Sequence, residues 1–188
     1  MISVDELIYE FELKLNSLDR EDNQNIALEN KLIFLNNARI TSVKSKLNQN
    51  NIYKIGYEGF RKRIDDLQVL KVNNYKLGVK KTDNLRHIGY ESDLKSIKDY
   101  MLYINSYVLA TSSKKCESTI SVNLIKEGEL ESMYFNDLYK PSFKWRDTLG
   151  TMGNNKLYVY TDSDFTIKNT YITYLRTPNK IDKEGYVH

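Results

Sequence analysis

Across 188 residues there are one cysteine, two histidines, two prolines and eight glycines, and each scarcity removes a class of protein. A lone Cys116 permits no disulfide within the chain, as expected of a protein made in a reducing compartment. It sits in KKCES at the head of an expected strand and reads as structural rather than nucleophilic. His87 and His188 are too few for a three-histidine metal site or a histidine-centred triad, and His87 in LRHIGY has no cysteine or second histidine beside it. The glycines of IGYEGF, LGTMG and KEGE form neither a dinucleotide fingerprint nor a phosphate-binding loop. No cofactor, no metal and no catalytic residue is therefore expected. Apolar runs fall short of the roughly 20 residues of a membrane span. The opening MISVDELIYEFELK is acidic, with no basic segment leading into an apolar one, so neither a secretory leader nor a membrane partner is expected.

What is abundant is tyrosine (15), asparagine (19) and lysine (21), the bias of an AT-rich genome. The net charge is only +3, but it is unevenly spread. Residues 1–30 carry eight acidic and two basic side chains; residues 39–81 carry three acidic and eleven basic. Opposed segments of this kind can set partner and register between copies; two solvated helix faces are the simpler account. The carboxylate pairs Asp5-Glu6, Asp65-Asp66 and Asp162 with Asp164 read as a helix cap, a helix surface and a turn. The last lacks the glycine and glutamate of a calcium loop.

Ser3 and Glu6 have capping-box spacing, and Leu7, Ile8, Phe11, Leu15 and Leu18 then recur at helical intervals over about four turns. After the polar DREDNQN (19–25), a second helix carries Leu28, Leu32, Leu35, Val43 and Leu47. Two helices with a short polar link read as an antiparallel hairpin. IYKIGYEG (52–59) turns the chain, and RKRIDDLQVLKV (61–72) reads as a third, shorter helix. From Asn73 alternation replaces helical spacing. Strands are expected at Tyr100–Ala110, Ser118–Ile125, Lys156–Thr161 and Phe165–Arg176, with a weaker one at Phe143–Asp147. In KLYVYT, Leu157 and Val159 share one face and Tyr158 and Tyr160 the other. Asn154-Asn155 and Asp162-Ser163-Asp164 supply turns, so 156–176 reads as a hairpin. GELESMYFNDLY (128–139) reads as a short inserted helix. The fold class is α+β: a helical region, 1–72, followed by a mainly antiparallel sheet or sandwich domain, 73–188, with a helical insert near 128–138.

The basic stretch 39–81 includes Arg61, Lys62, Arg63, Lys80 and Lys81 among Tyr53, Tyr57, Phe60 and Tyr75. Such a mixture can neutralise phosphates and stack on bases, so a DNA-binding accessory protein is the alternative reading. Against it stand the adjoining acidic helix and the absence of a recognisable DNA-reading module.

A further series runs through DYMLYINSYVLA (99–110), KKCESTISVNLI (114–125), FNDLYKPSFKWRDTL (135–149), NKLYVYTDSDFTI (155–167) and YITYLRTPNKIDKEGYVH (171–188). With the N-terminal ISVDELIYEFELKLNSLDREDNQNIALENKLIFLNNARI, it resembles head–tail connector, or neck, proteins of crAss-like tailed bacteriophages that infect Bacteroides. The likeness covers nearly the whole chain, without a short diagnostic motif. Its most distinctive pieces are Lys140-Pro141-Ser142 with Trp145-Arg146, and Tyr174-Leu175-Arg176 with Pro178 and Ile181-Asp182. The resemblance implies sequences that run on past Gly185-Tyr186. It also implies a non-enzymatic virion protein at the neck, made in the bacterial cytoplasm. Its partners would be copies of itself in a ring of twelve, the portal, and tail or further neck proteins, with non-specific contact to genomic DNA in the channel. The N-terminal helices would dock on a neighbour or the portal. Arg61, Lys62, Arg63, Lys140, Trp145, Arg146, Tyr174 and Arg176 are the expected contact residues. For Trp145, ordinary core packing is the preferred account.

Overall fold

The computed structural model describes residues 3–18, 26–47, 67–82 and 86–182. The chain divides into two compact units, Met1–Val69 with Thr177–His188, and Leu70–Arg176. The turns expected at 19–25 and 52–59, and residues 61–66 of the helix expected over 61–72, lie outside the described residues. Where that helix was expected to continue, Gln68–Leu70 form a single 3₁₀ turn and the chain is already extended at Lys71.

In the first unit, α1 spans Val4–Leu18 and α2 Leu28–Leu47. The capping box forms as spaced: Glu6 N donates to Ser3 Oγ (3.1 Å) and Ser3 N to Glu6 Oε2 (3.4 Å), satisfying amides that the first helical turn leaves unpaired. Ile8, Leu32 and Val43 are buried. Lys31 Nζ lies 2.6 Å from Glu12 Oε1 and ties the helices together. The segment after Arg176 runs along α2. Asn36 Nδ2 donates to Ile181 O (3.0 Å) while its Oδ1 accepts from Ile181 N (2.8 Å), and Arg39 Nη1 donates to Asn179 O (2.9 Å). A groove of about 470 Å³ lies between α2 and this segment. Among the described residues, no helix is long and apolar enough to cross a membrane.

The second unit is one eight-stranded mixed sheet: β1 (Lys71–Leu77), β2 (Lys80–Thr82), β3 (Gly89–Asp93), β4 (Tyr100–Ser112), β5 (Glu117–Leu124), β6 (Asp147–Gly153), β7 (Lys156–Tyr160) and β8 (Phe165–Arg176). With the two helices the fold is α+β. Strand order is β1-β8-β4-β5-β6-β7-β3-β2. The two edge strands are thus consecutive in sequence, joined through Gly78-Val79. Three residue steps span at most about 10 Å, so the sheet must curl until its edges meet. Bulges in the β4–β8 pairing, at Tyr100/Leu102, Tyr103/Asn105 and Leu109/Ala110, supply local bending. The curl encloses a core in which Val108, Ile120, Leu157, Val159 and Ile172 have no exposed surface.

One expectation about pairing fails. Strands β7 and β8 are not a hairpin: β7 pairs with β6 and β3, while β8 lies along nearly the whole of β4 and also along β1. The hairpin belongs to β6 and β7, whose turn residues Asn154 and Asn155 both have positive φ (51° and 57°), the geometry of a tight I′-type turn. The sheet is mainly antiparallel, as expected, with one parallel pair, β5 and β6. Alternation specifies which face a residue occupies and is silent about strand direction. A parallel pair needs a long crossover, supplied by residues 125–146. This contains a one-turn 3₁₀ segment, Glu127–Glu129, and the short helix α3 (Leu130–Tyr134). The strand expected at Phe143–Asp147 is instead a turn leading into β6.

Gly150 stands where β5, β6 and β7 crowd together. A Cβ there would meet Val122 Cγ1 at 2.5 Å and Tyr158 O at 3.2 Å; the first could yield only by repacking a buried valine, the second only by shifting β7. Gly150→Ala is expected to lower stability by about 1–3 kcal/mol in a urea titration. Gly153→Ala, with nothing within 4 Å of the added carbon, should stay within about 0.5 kcal/mol.

Candidate interaction surface

The crossover from β5 to β6 covers the outer face of the sheet, then departs from it. Leu130 of α3 is buried with Leu149 and Tyr160, and Met133, Tyr134 and Tyr158 pack around them. The Tyr158/Tyr160 face of β7 is thus ordinary packing, beneath α3. Tyr134 Oη donates to Thr161 O (2.9 Å). The His87 ring stacks on Tyr134 with centroids 4.0 Å apart. His87 Nε2 and Arg86 Nη1 lie 3.2 and 3.0 Å from Glu131 Oε1. The imidazole is thereby a clamp on α3, and among the described residues no side-chain cluster could hold a metal ion.

Helix α3 stops at Tyr134, short of the Tyr139 that the apolar spacing suggests. Asn136 ends the helical path: its Oδ1 accepts from Leu138 N (3.0 Å), and its carbonyl accepts from Tyr139 N (3.0 Å) and Lys140 N (2.9 Å). Such local bonding by asparagine competes with helix continuation. Pro141 is fully buried and Phe143 packs against the core, 6.1 Å from the Phe165 ring. Ser142 and Asp147 exchange backbone hydrogen bonds of 2.8 and 3.2 Å, and Arg146 O accepts from Ser121 N of β5 (3.0 Å). Arg146 has φ 56°, a left-handed conformation that costs a non-glycine residue roughly 1–2 kcal/mol.

On this anchored backbone, four large apolar side chains face solvent: Phe135 (72% exposed), Leu138 (86%), Tyr139 (55%) and Trp145 (76%). Phe135 is held edge-on to His87 and Tyr134, at 5.5 and 5.6 Å. The basic groups Lys140, Lys144 and Arg146 are exposed alongside. Lys144 Nζ lies 5.4 Å from the Trp145 ring centre, within cation–π range. Lys140 Nζ is 2.6 Å from Asp137 Oδ1; this pairing pushes the Asp137 carboxyl below its usual range and the Lys140 ammonium above its own. Rigid aromatics beside cations are the makings of a binding surface, and scattered single apolar residues are not.

Of the residues marked in the sequence, Lys140, Trp145 and Arg146 come together on this connection. Core packing for Trp145 is overturned: in the turn Phe143-Lys144-Trp145-Arg146, Phe143 turns inward and the indole outward. Phe135, Leu138 and Tyr139 were missed because helical spacing hides them. The usable signal was the Asn136-Asp137 pair, which favours turns over helix interiors. Arg61, Lys62 and Arg63 lie outside the described residues. Arg176 is half-buried at the end of β8. Cys116 is exposed in the turn before β5.

Tyr174 is a core residue rather than a surface anchor, 2% exposed, with Tyr75 and Tyr100 ring centres 6.0 and 5.8 Å away. Burial, together with the hydrogen bond that Tyr174 Oη gives Asp99 Oδ1 (2.9 Å), pushes its phenol up to about 12 from the ordinary 10. The native state therefore favours the protonated phenol. The stability this carries is fully present below pH 10 and is lost as pH rises through 12. Urea titrations between pH 9 and 12 should show a steeper alkaline loss for the wild type than for Tyr174→Phe. Equal slopes would contradict the assignment.

Compared with known proteins, the sequence matches no protein-family model and no curated protein.

Proposed function

We propose that this chain is a non-enzymatic virion structural protein: a head-to-tail connector, or neck ring, subunit of a tailed bacteriophage of the crAss-like kind. The observation that carries the reading is the connection Phe135–Arg146, where four exposed apolar side chains and three cations sit on a backbone fixed by Pro141, Phe143 and the Ser142–Asp147 pair. Holding the backbone in place before binding lowers the entropy lost on association. Arg146 keeps a backbone conformation that glycine would adopt without strain, which supports a use for its side chain.

In this reading the two N-terminal helices form an antiparallel hairpin that meets a neighbouring copy or the portal, and the sheet unit carries the contacts that close the ring. Copies of the chain surround the DNA channel as a ring of twelve, between the portal and the tail or further neck proteins. The basic 39–81 stretch is available to the genome in the lumen. The protein resides in the virion neck after synthesis in the bacterial cytoplasm.

Mass photometry of the purified chain, alone and with a portal protein, tests the reading. Closed high-order rings are the expected result. Trp145→Ala should leave the circular dichroism and melting curve unchanged while weakening assembly by about 2 kcal/mol, as truncating an interface aromatic does. A persistent monomer that binds duplex DNA with a steep salt dependence would replace this reading with the DNA-binding one.

A further inference from the structure

A second exposed apolar surface lies on α1. At 100° per residue, Ile8, Phe11 and Leu15 share one side of this helix; Ile8 is buried and the other two are half-buried. On the opposite side, Tyr9 and Leu13 are 61% and 50% exposed. Four residues apart, they stand one above the other in a single stripe. Glu6 and Glu10, both exposed, follow the edge of that stripe with the same spacing. The helix therefore shows an aromatic-aliphatic ridge bordered by carboxylates. The Phe135–Arg146 connection shows the converse, an aromatic-aliphatic surface bordered by Lys144 and Arg146.

We infer that α1 of one copy docks on the Phe135–Arg146 connection of the next, with Tyr9 and Leu13 against Leu138 and Trp145, and Glu6 and Glu10 against Lys144 and Arg146. The inference rests on the assembly reading above and supplies its contact. Charge complementarity selects the occupant: the acidic ridge that fits the basic surface is carried by the same chain, so every copy offers both halves. Opposite charges at the rim fix register and hasten encounter, while the buried apolar side chains supply the stabilisation. Because the two halves are unlike, the contact is head-to-tail. It leaves one free ridge and one free surface at the ends of any open chain of subunits, and both are consumed only when a ring closes. An amphipathic helix laid on an apolar surface is a recurrent mode of recognition.

Single-cysteine variants of the full chain test it. Tyr9→Cys and Leu138→Cys are each made in a Cys116→Ser background, mixed, assembled and treated with a short bis-maleimide. A crosslinked dimer should appear in the mixture and in neither variant alone, and a chain carrying both cysteines should give a ladder of multimers. Glu10→Lys and Lys144→Glu should each weaken assembly at least tenfold, and the two together should recover most of the loss. A dimer from Leu138→Cys alone would mean that like surfaces meet, and the inference would fail. It would also fail if the double-cysteine chain crosslinked only within itself, or if the charge reversals left assembly unchanged. Assembly of the wild type, with no crosslink between the Tyr9→Cys and Leu138→Cys variants, sinks this contact and spares the ring. Wild-type protein that stays monomeric at every concentration, with and without portal, overturns both.

Discussion

The strip from Lys71 to Thr82 belongs to both edges of the sheet, and most of the second unit follows from that constraint. An open sheet leaves a row of unpaired amides and carbonyls at each edge, free to pair with other chains. Here the first part of the strip pairs with β8 and the second with β3, so the chain returns on itself at the seam. Eight strands cannot meet this way unless they coil. The bulges along β4 and β8 and the side-chain-free position at Gly150 are where the coiling is accommodated. The enclosed core is correspondingly dense, with several aliphatic side chains wholly removed from water.

Closing the sheet fixes its inside and leaves its outside to be dealt with strand by strand. On β6 and β7 the outer face is apolar as well, and the parallel connection between β5 and β6 provides the cover. A direct hairpin would have left Leu149 and Tyr160 in solvent. The detour needed for parallel pairing brings α3 across them, and the chain then has surplus length before it re-enters the sheet at Asp147. That surplus carries Phe135 to Arg146. The exposed aromatic surface is thus a by-product of topology, anchored by the buried Pro141 and by Phe143 against the core.

How much of this could be read from the residues depended on the kind of signal. Leu7, Ile8, Phe11 and Leu15, with the Ser3–Glu6 cap, mark α1 because helical periodicity and capping are local. Leu28–Leu47 are legible for the same reason. Strands β4, β5, β7 and β8 show in alternation. β1, β2, β3 and β6 did not show: KVNNYKL and KKT are polar and largely exposed, GYESD is short and polar, DTLGTMG carries two glycines, and only their neighbours make them strands. Partnership between strands was the least legible property, since nothing within KLYVY distinguishes β6 and β3 from β8 as companions. At the candidate surface, Lys140, Trp145 and Arg146 stood out as residue types. Whether an indole in a basic turn faces in or out was decided by Phe143 two positions away, which took the inward place.

The hold that α2 keeps on the segment following β8 has an implication for how this chain can drift. Asn36 presents a donor and an acceptor side by side and engages the amide and carbonyl of Ile181, the same two groups a neighbouring strand would engage. Because the contact is with main-chain atoms, it is indifferent to which side chain position 181 carries, proline excepted, since that residue has no amide hydrogen to give. The chemical burden falls on α2: on position 36, where aspartate would lack the donor and leucine both groups, and on Arg39, which holds Asn179 O. Position 181 can therefore change its side chain and keep these two bonds, and position 36 cannot.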